Sequence, residues 1–317
     1  MSRTARSRVL VVGDVNPDIV VRTHEPPRFD QVEQLVEGID VTLGGSAGIV
    51  ACGTARLGLD TTLVAAVGED AWGRWCTEQL TARGVRTSAL RTAPAATGAT
   101  VLLVPDAGAG RAILTSAGAI GQLTGGDVSD ALLAEHGHLH LCSVFLVGGL
   151  RPELLEVCRR ARRAGLRISL DPNYDPSGQW DIHDELLAAV DLLLVNAVEA
   201  GALTGGAKTG KAAQFLGERC DTVVVKDGQC GALLAHGGEL TRITAPEVTA
   251  IDSTGAGDSL AAGVIYGLGA GWTITEAVAL GVACGSASVR ALGGIAAQPT
   301  LAEANALRTP IGATGQR

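Results

Sequence analysis

The chain is 317 residues long with a formal net charge of −8, 46% hydrophobic residues and only 3% aromatics. That length holds one large or two small domains, and a core so poor in aromatics must be built from Val, Leu, Ile and Ala, as in a buried parallel sheet between helices. The acidic balance disfavours a general nucleic-acid or membrane-surface role, and no stretch approaches the ~18 consecutive apolar residues of a membrane span.

Residues 9–12 form a short apolar run ending in Gly13-Asp14, which predicts a buried first strand; the run is too short for the core of a signal peptide. Residues 19–43 differ in texture. Short β-like segments, 19–22 and 36–43, are broken by His24-Glu25-Pro26-Pro27 and read as strands of a small exposed sheet. Gly44-Gly45-Ser46 then opens a helix to about Leu57, with Gly58 as its stop signal. A strand over 62–67 and a helix over 70–83 follow. Segments 99–104 and 111–115 make a strand pair around 105–110.

Further on, strands are expected at 139–144, 167–170, 192–195, 222–225 and 232–235, and helices at 152–164, 257–268 and 274–291. Alternation of this kind implies a mostly parallel sheet covered on both faces. The early strand clusters, about 14–43 and 95–118, fall outside the alternation and read as one small β-lid on a single domain spanning 1–317. The tail beyond Arg308 reads as frayed. Arg159, Arg160, Arg162, Arg163 and Arg167 read as the solvated face of a helix and its exit. Seven scattered cysteines with no CxxC pair read as reduced, mostly buried thiols of a cytoplasmic protein.

The strongest chemical signal is Asp252-Ser253-Thr254-Gly255-Ala256-Gly257-Asp258, leading directly into an apolar helix. A small-residue turn at a helix N-terminus leaves backbone N–H groups free and pointing one way, a ready anion site. Asp258 falls in the first helical turn, beside where a phosphate would lie. A carboxylate there repels a merely bound anion, but it makes sense as acceptor of a proton from an attacking hydroxyl. The alternative is that Asp258 only caps the helix. Asn196 and Glu199 follow a buried strand, three residues apart on one face of the next helix, and could serve a nucleotide and, through water, its Mg²⁺. A plain N-cap with a capping-box Glu fits them equally well.

Three motifs are decoys. Gly255-Ala256-Gly257 begins a dinucleotide fingerprint, but Leu260 takes the third glycine's place and the element comes late in the chain. Gly205 to Ala212 nearly spells a P-loop, but Ala212 replaces the magnesium-holding hydroxyl and the segment follows a helix; it reads as a turn between helices. His136, His138 and His140 could share one side of an extended segment and suit zinc, yet no fourth ligand is placed, and a loop entering a buried strand is the better reading.

Taken in order, these pieces resemble the ribokinase or PfkB family of carbohydrate kinases, from Val9 to about Pro299. Gly44-Gly45 opens a helix ending Ala55-Arg56-Leu57-Gly58, followed by Ala66-Val67-Gly68-Glu69-Asp70-Ala71-Trp72-Gly73. The second signature is the Asp252–Asp258 run. Gly13 to Asp18, Asp171-Pro172-Asn173, Asn196 with Glu199, and Lys226-Asp227-Gly228 occur in the matching order. The resemblance implies a three-layer α/β/α domain with a mostly parallel central sheet and a β-lid. It implies Asp258 as catalytic base and the N–H groups of Gly255, Ala256 and Gly257 as the anion hole. It further implies Asn16 and Asp18 as holders of substrate hydroxyls, and Gly44 and Gly45 as allowing the substrate's approach. Asn196, Lys226 and Gly228 match the nucleotide site, and Glu199 the residue that organises Mg²⁺. Asp252 and Thr254 lie where some members bind a monovalent cation, such as K⁺, through backbone carbonyls.

The implied activity is transfer of the γ-phosphate of ATP to a hydroxyl of a sugar or sugar-like molecule. A nucleoside kinase on the same fold and a non-catalytic small-molecule sensor are the alternatives. The exposed lid strands invite pairing into a homodimer. The sequence departs from the family pattern at three places. Ile49 and Ile120 stand where an amide often contacts substrate hydroxyls, which predicts a less polar pocket, and Asp175 stands where an Arg often follows Asp-Pro-Asn.

Overall fold

The computed structural model of the protein describes residues 8–105 and 110–309. Residues 1–7, the turn residues 106–109 of the expected strand pair, and the tail from 310 lie outside the described residues.

The first half of the chain contributes β1 (Arg8–Val12), β2 (Asn16–Thr23), β3 (Gly38–Gly44), α1 (Ser46–Leu57), β4 (Asp60–Val64), β5 (Ala66–Gly68), α2 (Ala71–Ala82), β6 (Arg91–Ala93), β7 (Ala99–Pro105) and β8 (Ala112–Ser116). Then come α3 (Asp130–Glu135), β9 (His138–Cys142), α4 (Leu154–Arg163), β10 (Arg167–Asp171), α5 (Asp184–Ala188), β11 (Leu192–Asn196), α6 (Ala197–Leu203) and α7 (Thr209–Gly217). The chain closes with β12 (Thr222–Lys226), β13 (Ala232–His236), β14 (Glu239–Ile243), α8 (Ala256–Gly269), α9 (Ile274–Ser288) and α10 (Leu301–Leu307).

Eight strands form the central sheet in the order β14-β13-β12-β11-β10-β9-β1-β4. The pairs from β4 through β12 are parallel, and β13 and β14 close one edge antiparallel. Strand side chains alternate between faces, and β1 shows the result: Leu10 and Val12 join one core, Val9 and Val11 the other. The first core lies under α4 and α7, the second under α1, α8 and α9. This is the expected three-layer α/β/α arrangement, with continuous apolar strands because both faces are covered.

The differences from expectation are local. The strand expected over 62–67 divides at Ala65: β4 belongs to the central sheet, whereas β5 pairs with β6 in a separate sheet. The amphipathic edge strand β14 was not anticipated, since an outer strand needs no continuous apolar run. The helix expected from 152 begins with a 3₁₀ turn, Arg151–Glu153. The last long helix stops at Ser288 rather than 291. Both remaining decoys resolve as read. Gly205 and Gly206 turn the chain between α6 and α7. His138 and His140 are buried in β9, both bonded to Ser169 Oγ at 2.7 Å.

The two early strand clusters meet in one four-stranded sheet, β3-β2-β7-β8, in which β2 and β7 run parallel. Its register sorts the side chains. Asp18, Thr42, Thr100 and Thr115 share one face, while Ile19, Val41, Val101 and Leu114 share the other. Among the described residues, no helix is long and apolar enough to cross a membrane.

Candidate active site

The carboxyl ends of the parallel strands, where ligands gather in open α/β sheets, bring Cys142, Asp171, Asn196 and Lys226 to one edge. The N-termini of α1 and α8 arrive at the same edge. Gly255 is the N-cap of α8 at φ 69°, a left-handed conformation that favours glycine, and a Cβ there would fall 2.7 Å from Gly294 Cα. Within this turn Ala256 N, one of the three N–H groups expected in the anion hole, donates to Ser253 O at 3.3 Å. Asp258 follows in the first turn, and its Oδ1 accepts a hydrogen bond from Ser46 Oγ at 2.5 Å. Ser46 is the first residue of α1, so the start of one helix grips the start of the other.

Desolvation within the cleft raises the Asp258 carboxyl to about 7, and the negative charge of Asp171 adds to the rise while Lys226 and Ser46 oppose it. Lys226 ends β12 and bonds Asp171 Oδ2 at 2.5 Å; its side chain is 10% exposed. Burial works against this ammonium, but the carboxylates of Asp171, Glu199 and Asp258 outweigh it and hold the lysine above its ordinary value. Asp171 Oδ1 is a buried oxygen with no hydrogen-bond partner. A charge-bearing oxygen left so beside a lysine is free to meet a cation or its water.

Asn196 and Glu199 form a closed capping box. Asn196 N and Nδ2 donate to the two Glu199 oxygens at 2.9 and 2.6 Å, and Glu199 N donates to Asn196 Oδ1 at 2.9 Å. Burial raises the Glu199 carboxyl, against the pull of Lys226. Beside this group opens a cavity of about 540 Å³, lined by Lys226, Gly228, Ser253 and Gly257 and walled by Val248 and Val289. Such a volume and mixed lining suit a small ligand. Asn196 does not line it. A larger cavity of about 710 Å³ lies at the opposite end of the strands, among His138, Arg167 and Trp272, and holds none of the expected site residues.

The four-stranded sheet brings its polar face to the site. Asn16 Nδ2 donates to Asp18 Oδ1 at 2.8 Å and to Thr100 Oγ1 at 3.1 Å. Gly44 pairs with Asn16 across β2 and β3, and a Cβ at Gly44 would collide with the Asp18 carboxyl. Gly45 caps α1 beside the Asp14 carbonyl. Burial raises Asp18 to about 7, against its bond from Asn16 and with the help of Asp14. Asp252 Oδ1 accepts from Thr254 N at 2.9 Å and Thr254 Oγ1 at 2.7 Å, and Gly293 N binds the other oxygen at 2.8 Å. Arg111, from the small sheet, donates to Thr254 Oγ1.

The expected residues therefore converge, with corrections. Ile49 is 3% exposed and packs against Gly255 and Gly294; Ile120 is fully buried in the core. Ile49 thus lies directly against the Gly255 turn of the site. Asp175 is buried as well, and its oxygens accept from Ser177 N, Ser177 Oγ and Trp180 N, so it shapes a turn. Sequence reasoning assigned no role to Ser46, Arg111 or Asp171. Of these, only Asp171 carried a local signal, as the first residue of Asp171-Pro172-Asn173 at a strand end.

Comparison with known proteins follows the same lines. The family model described as "pfkB family carbohydrate kinase" matches residues 6–301. A fructokinase of Klebsiella pneumoniae is 28% identical over 271 residues, covering 81% of this chain and 88% of its own. The aminoimidazole riboside kinase of Salmonella typhimurium is 28% identical over 311 residues, covering 93% of each. A ribokinase of Thermotoga maritima superposes with a TM-score of 0.82 at 26% identity, over 94% of this chain and 98% of that one.

Proposed function

The chain belongs to the pfkB family of carbohydrate kinases, and from that premise we propose that it transfers the γ-phosphate of ATP to a hydroxyl of a sugar or sugar-like small molecule, with Asp258 as base. The observation that carries the reading is Asp258 itself, a carboxyl raised to about 7 in the first turn of α8, where it accepts a hydrogen bond from the Ser46 hydroxyl. A base poised near the working pH accepts a proton best. Phosphoryl transfer otherwise needs positioning and charge neutralisation more than covalent chemistry.

The N–H groups of Gly255, Ala256 and Gly257 form the anion hole. Lys226, whose Nζ lies 3.2 Å from where a Cβ on Gly257 would stand, neutralises phosphate at its edge. The nucleotide occupies the cavity floored by Lys226 and Gly228, next to Asn196. The unpartnered Asp171 oxygen and the buried Glu199 carboxylate fit a Mg²⁺ held through water. That ion would neutralise the phosphates. A K⁺ at the carbonyls of Asp252 and Thr254 would stiffen the turn into the anion hole, and comparing rates in KCl and NaCl tests it.

Asn16 and Asp18 hold substrate hydroxyls, and Gly44 and Gly45 leave room for the substrate's approach. The four-stranded sheet serves as a lid that excludes water, the competing acceptor. The cytoplasm is the proposed compartment, in keeping with cysteines that are all free thiols. A nucleoside acceptor is the second reading, supported by the riboside kinase's even coverage of both chains.

ADP release from ATP·Mg²⁺ across sugars, deoxysugars and nucleosides is the test, with Asp258→Asn as control. Turnover with one class, slowed about 10²–10⁴-fold in the control, is expected. Measurable ATP binding with no turnover anywhere would favour a non-catalytic sensor instead.

A further inference from the structure

Resting on that reading of Asp258, we infer that Ser46 is a site of self-phosphorylation, an internal alcohol that takes the γ-phosphoryl group when no small-molecule acceptor fills the cleft. Its hydroxyl donates to Asp258 Oδ1 at 2.5 Å, the contact an acceptor hydroxyl must make with its base. Ser46 is half-buried rather than sealed in the core. It is a primary alcohol, chemically equivalent to a sugar hydroxymethyl group. Asp258 is only three residues past the N-cap Gly255, so base, hydroxyl and anion hole lie together. The Cys142 thiol lies close to Ser46. Burial and the charge of Asp171 push that thiol well above its ordinary value, so it stays protonated and does not compete as a nucleophile.

The step balances as an ordinary phosphoryl transfer. The Ser46 Oγ–H proton passes to Asp258, and the Oγ–P bond forms as the bond from γ-phosphorus to the β–γ bridging oxygen breaks. ADP leaves with the electron pair. The product is a phosphoserine in the acceptor's place beside Asp258, which closes the cleft to further substrate.

The experiment uses the full chain with ATP·Mg²⁺ and no acceptor, followed over time by intact mass and peptide mapping. The expected result is a mass gain of one phosphoryl group, mapped to Ser46, at a rate lowered about 10²–10⁴-fold in Asp258→Asn. Ser46→Thr, which keeps a hydroxyl, should still gain mass, whereas Ser46→Ala should not. No mass gain, a phosphate mapped elsewhere, or an undiminished rate in Asp258→Asn would each overturn the inference. The same preparation is assayed for ADP release with the acceptor panel. Turnover without mass gain overturns self-transfer alone; ATP binding with neither signal removes the kinase reading with it.

Discussion

Arg111 Nη1 donates to Thr254 Oγ1 at 2.5 Å and lies 3.8 Å from Asp252 Oδ1, joining residues 143 positions apart. One end of this bond lies just before β8 of the four-stranded sheet; the other is on the turn that leads into α8. The small sheet and the turn before α8 are therefore tied by a charged donor, and such bonds contribute about 1.5–3 kcal/mol. Arg111→Ala should lower kcat/KM for the acceptor by roughly 10–100-fold. Because Arg111 does not line the 540 Å³ cavity, the KM for ATP should stay within about twofold. Steady-state kinetics with each substrate varied would check both, and an equal loss in ATP affinity would contradict the assignment.

Two carboxyls in the cleft, Asp258 and Asp18, are each raised to about 7. A base must be ionised to accept a proton, and a carboxylate that receives sugar hydroxyls must be ionised to accept fully. Activity should therefore be lost as pH falls through 7. With both groups required, kcat/KM for the acceptor should fall with a limiting slope of about two log units per pH unit. Asp18→Asn should lower the overall rate and reduce that slope to about one. A limb that stays flat down to pH 5 would show that neither carboxyl titrates where its burial puts it.

The Asp252–Asp258 run, the Gly44-Gly45 helix start and the three layers were legible because each depends on residues close in sequence. A helix N-terminus with small residues declares itself within seven positions. The Asn196–Glu199 pair was legible only as a choice, since the same three-residue spacing serves a capping box and a nucleotide site; the structure makes the box. Ser46, Arg111 and the Asp171–Lys226 pair were illegible for a different reason. Their partners stand 212, 143 and 55 residues away. No local pattern encodes such contacts.

Asp18 should also trade stability for function. Its folded value of about 7 exceeds the ordinary 3.8, so the native chain binds more protons than the unfolded chain between those limits. Stability must then fall as pH rises through this window, and the full penalty is present above 7. Asp18→Asn keeps the oxygen that accepts from Asn16 and discards the charge. Its Tm should match the wild type near pH 4 and exceed it by about 3 °C or more at pH 8, while acceptor turnover drops. Scanning calorimetry at the two pH values decides the matter; a variant less stable at pH 8 would mean that the carboxylate is better solvated than its burial implies.

The outer face of the small sheet exposes a set of aliphatic side chains. Ile39 is 62% exposed, Val41 44% and Leu114 58%. Through the register they share one continuous apolar face with Ile19, Val21 and Val101. Single exposed aliphatics need no explanation, but a whole apolar sheet face opposite a polar one marks an interaction surface. A second copy offers the matching face, and a two-fold pairing buries both at once. Light scattering should therefore give the mass of a homodimer. Val41→Asp would bury an unpaired charge at the centre of that contact, and the dissociation constant should rise about 100-fold, some ~2.7 kcal/mol. A monomeric wild type at micromolar concentration would refute the pairing, and a dimer indifferent to Val41→Asp would move it to another surface.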